Sequence, residues 1–185
     1  MRISVVGGSC SGKTTLSRRL SERLDVPHIE LDALHHDPNW QEAPADLLQQ
    51  RVRDALAQAP DGWVVDGNYH SKIGRLVLDE ADLVVFLDPP FVTALRRSLW
   101  RTLSRSLMRR ELWNGNRETF RNAFSKYSIV LWVIRTHRPM RNKMAERLAG
   151  DEVVHLRSPR EVERWLASVS SVSRREAVLD RHSRR

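Results

Sequence analysis

Two periodicities alternate along the chain. Short continuous apolar runs, of the kind buried in a parallel sheet, are separated by stretches whose apolar residues recur every three or four positions. Arg2–Val6 reads as a strand, Gly7–Gly12 as a glycine-rich loop and Lys13–Leu24 as a helix. Pro27–Leu31 predicts a second strand ending at Asp32, and Asp37-Pro38-Asn39 breaks the chain before a helix with Leu48, Val52 and Leu56 on one face. Beyond Gly62, Trp63–Val65 predicts a strand ending in Asp66-Gly67, and Leu83–Leu87 another ending in Asp88-Pro89-Pro90. Phe91, Leu95, Leu99, Leu103 and Leu107 recur every fourth residue and predict one long amphipathic helix to about Met108. After Asn114-Gly115-Asn116 comes a helix with Phe120, Phe124, Tyr127, Leu131 and Ile134 on one side, which Pro139 should end or kink. Glu152–Leu156 suits a fifth strand, and Ser158-Pro159 starts a last helix carrying Val162, Trp165, Leu166 and Val169.

This order predicts an α/β fold: a five-stranded parallel sheet with helices on both faces and ligands at the carboxyl ends of the strands. The expected organisation is a single domain over 1–169, followed by a frayed Ser- and Arg-rich tail over 170–185.

Composition narrows the class. With 185 residues, 41% hydrophobic and 29% charged, the chain is long and apolar enough for a core, and no run approaches the roughly 20 apolar residues of a membrane span. Met1–Val6 does not read as a secretory signal. Cys10 is the only cysteine, so an intramolecular disulfide and a Cys-based zinc site are excluded and a cytoplasmic location is expected. The formal charge of +8 favours polyanions such as nucleotides, nucleic acid or acidic lipid. Of the 31 basic residues only Lys13, Lys72, Lys126 and Lys143 are lysines, which makes the position of Lys13 informative.

Gly7-Gly8-Ser9-Cys10-Ser11-Gly12-Lys13-Thr14 fits G-x-x-x-x-G-K-[ST], follows a strand and opens a helix. In such a loop backbone N–H groups wrap a polyphosphate, the lysine reaches the terminal phosphates and the helix N-terminus adds positive potential. Gly7 through Thr15 are the expected ATP-binding residues, with the Thr14 hydroxyl directed at Mg²⁺. Cys10 lies where a helix N-terminus can activate a thiol, although a small residue that simply fits is the alternative.

With Leu31-Asp32-Ala33-Leu34-His35-His36, Trp63-Val64-Val65-Asp66-Gly67-Asn68-Tyr69, Phe86-Leu87-Asp88 and Leu112-Trp113-Asn114-Gly115-Asn116-Arg117, the loop resembles the adenylate-kinase-like P-loop proteins of the DNA topology modulation family. The likeness covers most of residues 1–166. It implies a nucleoside-monophosphate-kinase-type fold with a five-stranded sheet, an ATP site and a helical lid. In that frame Asp66 orders Mg²⁺ through water, the alternative being a turn-initiating Asp-Gly. Those kinases carry a phosphate-binding arginine soon after this acid. This chain has Asn68-Tyr69-His70 there, with Lys72 and Arg75 as the nearest substitutes.

Asp32 stands where small-molecule P-loop kinases contact the acceptor and is a candidate base for a hydroxyl, against a capping role. His35 and His36 either edge the same pocket or lie on the surface, and their spacing does not support a metal site. Arg97, Arg101, Arg105 and Arg109 form an i, i+4 row whose mutual repulsion, roughly 0.2–0.5 kcal/mol per pair, an anion would relieve. With Arg110, Arg117 and Arg121 they resemble a lid around 105–121, and Arg101 and Arg117 are its candidate catalytic residues. The alternative is a solvated basic face. Trp100, Trp113 and Trp132 read as packing residues. By resemblance Arg157 borders the adenine.

The expected function is ATP-dependent phosphoryl transfer to a small acceptor, either a nucleotide or a hydroxylated metabolite. The alternative is an ATP-binding regulatory or DNA-interacting protein. Nucleic acid is possible but not favoured, since no sequence-reading motif is present. Guanine specificity is disfavoured by the absence of an Asn-Lys-x-Asp segment.

Overall fold

The computed structural model describes residues 1–108 and 129–169. Five parallel strands form one sheet in the order β2-β5-β1-β6-β7: β2 His28–Glu30, β5 Trp63–Asp66, β1 Arg2–Gly7, β6 Leu83–Leu87 and β7 Val153–Leu156. The central strand β1 is flanked in register by β5, with Val5 opposite Asp66, and by β6, with Gly7 opposite Leu87. Alternation along these strands sends side chains to opposite faces. Ile3, Val5, Val64, Val85 and Leu87 pack with Leu16 and Leu20 of α1 (Lys13–Leu24) and with Leu166 of the C-terminal helix 159–169.

On the other face Trp63 and Val65 meet Leu48, Val52 and Leu56 of α3 (Ala45–Ala57). Val6, Val84 and Phe86 meet Met144 and Leu148 at the end of α6 (Ile129–Arg147). Thus the expected α/β architecture is present, a five-stranded parallel sheet with helices on both faces. The strand ends Glu30, Asp66, Gly7, Leu87 and Leu156 lie along one edge.

Four expectations need correction. The second strand does not run to Asp32: it stops at Glu30, and Leu31–His35 forms a short helix, α2, with Asp32 in its first turn. Helical spacing turns Leu31 and His35 inward together, and both are buried. Leaving the sheet brings Leu31 onto Gly67, where an added Cβ would lie 2.6 Å from the Leu31 Cβ.

The long helix α5 does span Phe91–Met108, but over residues 91–100 the buried side chains are Ala94 and Ser98, while Phe91, Leu99 and Trp100 are exposed, Trp100 by 73%. Residues at a strict spacing of four drift by about 40° per step around an α-helix, so such a row cannot stay on one face. Small residues at Ala94 and Ser98 let the α5 backbone approach the loop after β1, and Ala94 lines a cleft with Ser9 and Ser11.

Pro139 does not end its helix, which continues to Arg147 because Met144 and Leu148 beyond it are buried against the sheet. On that helix Val133 is buried and Ile134 exposed, so the inward face is offset from the expected one. Trp113, Arg109, Arg110, Arg117, Arg121, most of the lid around 105–121 and the tail 170–185 lie outside the described residues.

Antiparallel strands β3 (His36–Asp37) and β4 (Gln41–Glu42) make a small hairpin between α2 and α3. Asn39 and Trp40 at its tip both have positive φ, 61° and 58°, an uncommon conformation for tryptophan.

Gly67 takes φ +141° and has no room for a side chain, whereas Gly74 takes φ +60° in open space. Gly74→Ala should therefore cost about 1–3 kcal/mol from backbone strain alone, and Gly67→Ala should cost more, because Leu31 must also move. Urea denaturation midpoints of the two variants check this ranking.

Candidate functional site

The loop Gly7–Gly12 leaves β1 at the sheet edge and ends at Gly12, whose left-handed conformation caps α1. Cys10 also adopts positive φ, 60°. Lys13 Nζ lies over the loop and donates to the carbonyls of Gly7 at 3.0 Å and Gly8 at 3.1 Å. Ser11 Oγ is buried and has no hydrogen-bond partner among the described residues. A lysine held on loop carbonyls at a helix N-terminus, with a buried unpartnered hydroxyl in the same loop, fits a polyphosphate chain. Thr14 and Thr15 occupy the first turn of α1.

Two side chains fasten this loop from outside it. Asn68 receives the Gly7 N–H at 3.3 Å on Oδ1 and donates from Nδ2 to the Gly7 carbonyl. Arg97, on the turn of α5 after Ala94, donates to the Ser11 carbonyl at 2.7 Å. Neither belongs to the motif. Asn68 stands in the segment where the resemblance implies an arginine, and Arg97 opens the i, i+4 arginine row. Local periodicity holds no signal for either contact, since both join segments far apart in sequence.

Beside the loop, Asp66 is buried and is hydrogen-bonded by His28 Nε2 at 2.9 Å. On the other side of β1, Asp88 receives His155 Nε2 at 3.0 Å and Arg141 Nε at 2.9 Å. His137 and Arg141 of α6 line a small cleft with Gly8, Ser9, Ser11 and Asp88. Arg157 follows β7 at the same edge; its N–H bonds Glu161, which also pairs with the Ser158 hydroxyl to cap the C-terminal helix. Among the described residues no three His, Cys, Asp or Glu side chains form a metal cage. Mg²⁺ bound mainly by phosphate and water needs none, and Thr14 and Asp66 have the hard oxygen donors it prefers.

Asp32 is reached through Tyr69, whose hydroxyl donates to Oδ1 at 2.7 Å. Burial first, and the Asp32 charge second, push the Tyr69 phenol well above its ordinary range, so it stays a donor. The His35 ring lies tilted against the Tyr69 ring, centroids 4.4 Å apart, inside the protein, while Lys72 Nζ bonds Glu42 at 2.9 Å and the Ala43 carbonyl at 3.2 Å. Burial, with the nearby Lys72 charge, lowers the His35 pKa; the hydrogen bond from Lys72 lowers that of Glu42. Of the two cations expected to replace the missing arginine, Lys72 is thus tied to Glu42. Arg75 bonds Asp79, Asp151 and the Arg147 carbonyl, away from the loop edge, because Asp151 precedes β7. Arg101 lies on α5 and Arg117 outside the described residues.

The chain is similar to adenylate kinases. Adenylate kinase 2 of Nostoc sp. is 26% identical over 129 residues, covering 56% of this chain and 70% of that protein. Adenylate kinase 8 of Danio rerio is 32% identical over 52% of this chain, and that of Xenopus laevis 25% identical over 53%. In both cases the match spans only 24% of the longer protein. No family model matches. A structure of an uncharacterized protein from Eubacterium ventriosum aligns over 94% of this chain and 97% of its own, with TM-score 0.52 and 12% identity, and shares the fold. Sheet order, loop and relatives agree on a P-loop fold of the nucleoside-monophosphate-kinase type, and the distant homology is to nucleotide kinases. No described helix is long and apolar enough to cross a membrane.

A buried histidine held neutral makes folding sensitive to acid. The folded pKa of His35 lies below its unfolded value near 6.5, so the unfolded chain binds more protons and stability falls as pH drops through that value. His70, also lowered by burial, acts in the same sense, and Glu42 adds a loss at lower pH. Urea titrations at pH 7 and pH 5 should show the drop, and His35→Gln should make it shallower.

Proposed function

We propose that this protein is an ATP-dependent phosphotransferase that moves the γ-phosphoryl group of ATP to a small acceptor. The observation that supports this most is the loop at the end of β1, with Lys13 Nζ bonded to the Gly7 and Gly8 carbonyls and the loop itself held by Asn68 and Arg97. Similarity to adenylate kinases supports ATP as the donor.

In this reading the segment Gly7 through Thr15 holds the triphosphate, with the Gly7 N–H kept on Asn68 and the phosphates met by amides further along the loop. Lys13 exchanges its carbonyl partners for the β- and γ-phosphates and offsets charge as it develops there. Arg97 already sits at the Ser11 carbonyl and can turn toward phosphate over a short distance. Thr14 would hold Mg²⁺ directly and Asp66 through water, with His28 orienting the Asp66 carboxylate; the ion would supply neutralisation of phosphate charge. Arg157 borders the adenine. Arg101 and Arg117 belong to an arginine-bearing lid over the reacting group and exclude water when it closes. Asp32 faces the acceptor.

Removing the lysine deletes a compact cation from a preorganised anion site, so Lys13→Ala should lower turnover at least ~100-fold. Calorimetric MgATP titration and steady-state ADP release check it, and wild-type values for both would remove the ATP-site assignment. Asp66→Asn should reduce magnesium-dependent turnover while leaving nucleotide binding in chelator nearly unchanged, because a carboxylate that orders metal-bound water matters only when metal is present. An unaltered magnesium titration leaves Asp66 as a structural partner of His28.

A further inference from the structure

We infer that the acceptor is a hydroxyl group on an unphosphorylated molecule, with Asp32 as its base, rather than the phosphate of a nucleoside monophosphate. This rests on the phosphotransferase reading above. The segment after β5 hands three side chains to three partners: Asp66 to His28, Asn68 to the Gly7 backbone and Tyr69 to Asp32. Because Gly67 lets Leu31 pack against it, the start of α2, and Asp32 with it, is held beside the strand end that adjoins the loop.

Charge around Asp32 argues against an anionic acceptor. A phosphate dianion needs cations, and three described cations on this side already face carboxylates. Arg18 bonds Glu30 at 2.6 Å, Arg51 bonds Asp37 at 3.0 Å and the Leu34 carbonyl, and Lys72 bonds Glu42 at 2.9 Å. His35, buried against the Tyr69 ring, is kept neutral by burial and by Lys72. An acceptor phosphate would instead meet the Asp32 carboxylate. A hydroxyl suits the same groups: Asp32 accepts its proton and Tyr69 holds the carboxylate in place.

The step balances without another reagent. Asp32 takes the hydroxyl proton, the acceptor oxygen bonds to the γ-phosphorus of ATP, and the bond from that phosphorus to the β,γ-bridging oxygen breaks. Its electron pair leaves with ADP, and the proton passes from Asp32 to solvent.

The test uses the full chain with MgATP and matched probes: adenosine, cytidine, uridine and thymidine, each beside its 5′-monophosphate, together with glucose and glycerol. ADP release is followed, and products are classed by ³¹P NMR as phosphomonoester or phosphoanhydride. The expected result is a phosphomonoester from at least one hydroxyl probe, with ADP release at least ~10-fold above that of a matched monophosphate. With that probe Asp32→Asn should lower kcat at least ~100-fold while MgATP affinity stays within about twofold, and Asp32→Glu should recover part of the loss. Phosphoanhydride formation from monophosphates, or no phosphomonoester from any hydroxyl probe, overturns the inference. The first of these leaves the phosphotransferase reading standing. Failure of the wild-type chain to bind MgATP overturns both. The product class is read on wild-type protein, so the result does not depend on either variant folding.

Discussion

The close approach at Gly7 is the constraint around which the candidate site is organised. A side chain there would collide with the Leu87 carbonyl of β6 and come within 2.9 Å of Ser11 Oγ, and the residue takes φ +151°. On its other side the Asn68 amide engages both backbone groups of the same residue. Strand β1 is therefore pinned between its two neighbours at the point where the loop departs, and the amides downstream inherit that position. The Lys13 contacts and the reach of Arg97 to Ser11 are possible only because the loop starts there.

The cations around this point differ in what they face, and Arg141, beside the loop, pairs with Asp88. Lys13 and Arg97 donate to loop carbonyls, dipoles that a phosphate can replace with gain. Arg18, Arg51 and Lys72, on the α2 and α3 side, face carboxylates, and a bound anion would have to compete with a full charge. Lys13 and Arg97 thus mark the loop as the place for polyphosphate, while the α2 and α3 side suits a less charged molecule, although the chain as a whole carries +8. Net charge says little about where an anion binds.

Parts of the site are legible in the residues alone. The loop motif occupies consecutive positions, so spacing identifies Gly7 to Thr14, and the carboxylates at strand ends follow from short apolar runs stopping at Asp66 and Asp88. The partners of these residues are not legible. Asn68 and Tyr69 stand out only as a departure from an expected arginine, and nothing local distinguishes them from turn residues. His28, Arg97 and Arg141 acquire partners 38, 86 and 53 positions away in the chain. Such pairings depend on which strand lies beside which, and the order β2-β5-β1-β6-β7 is a property of the assembled sheet.

By itself the sequence determined the five sheet strands, the main helices between them, the class of the fold and the loop, because these follow from periodicity and from contiguous glycines and lysine. Tertiary structure decided orientation. It turned the first turns of α5 so that Ala94 and Ser98, rather than Phe91 and Leu99, face inward, and small side chains there let that helix approach the loop. It carried α6 through Pro139, because burial of Met144 and Leu148 outweighs one lost backbone hydrogen bond. It folded Leu31–His35 into a helix instead of extending β2, which sets Leu31 against Gly67 and leaves both Leu31 and His35 buried. In each case burial is a sum over neighbours from distant segments, and local pattern contains only one side of that sum.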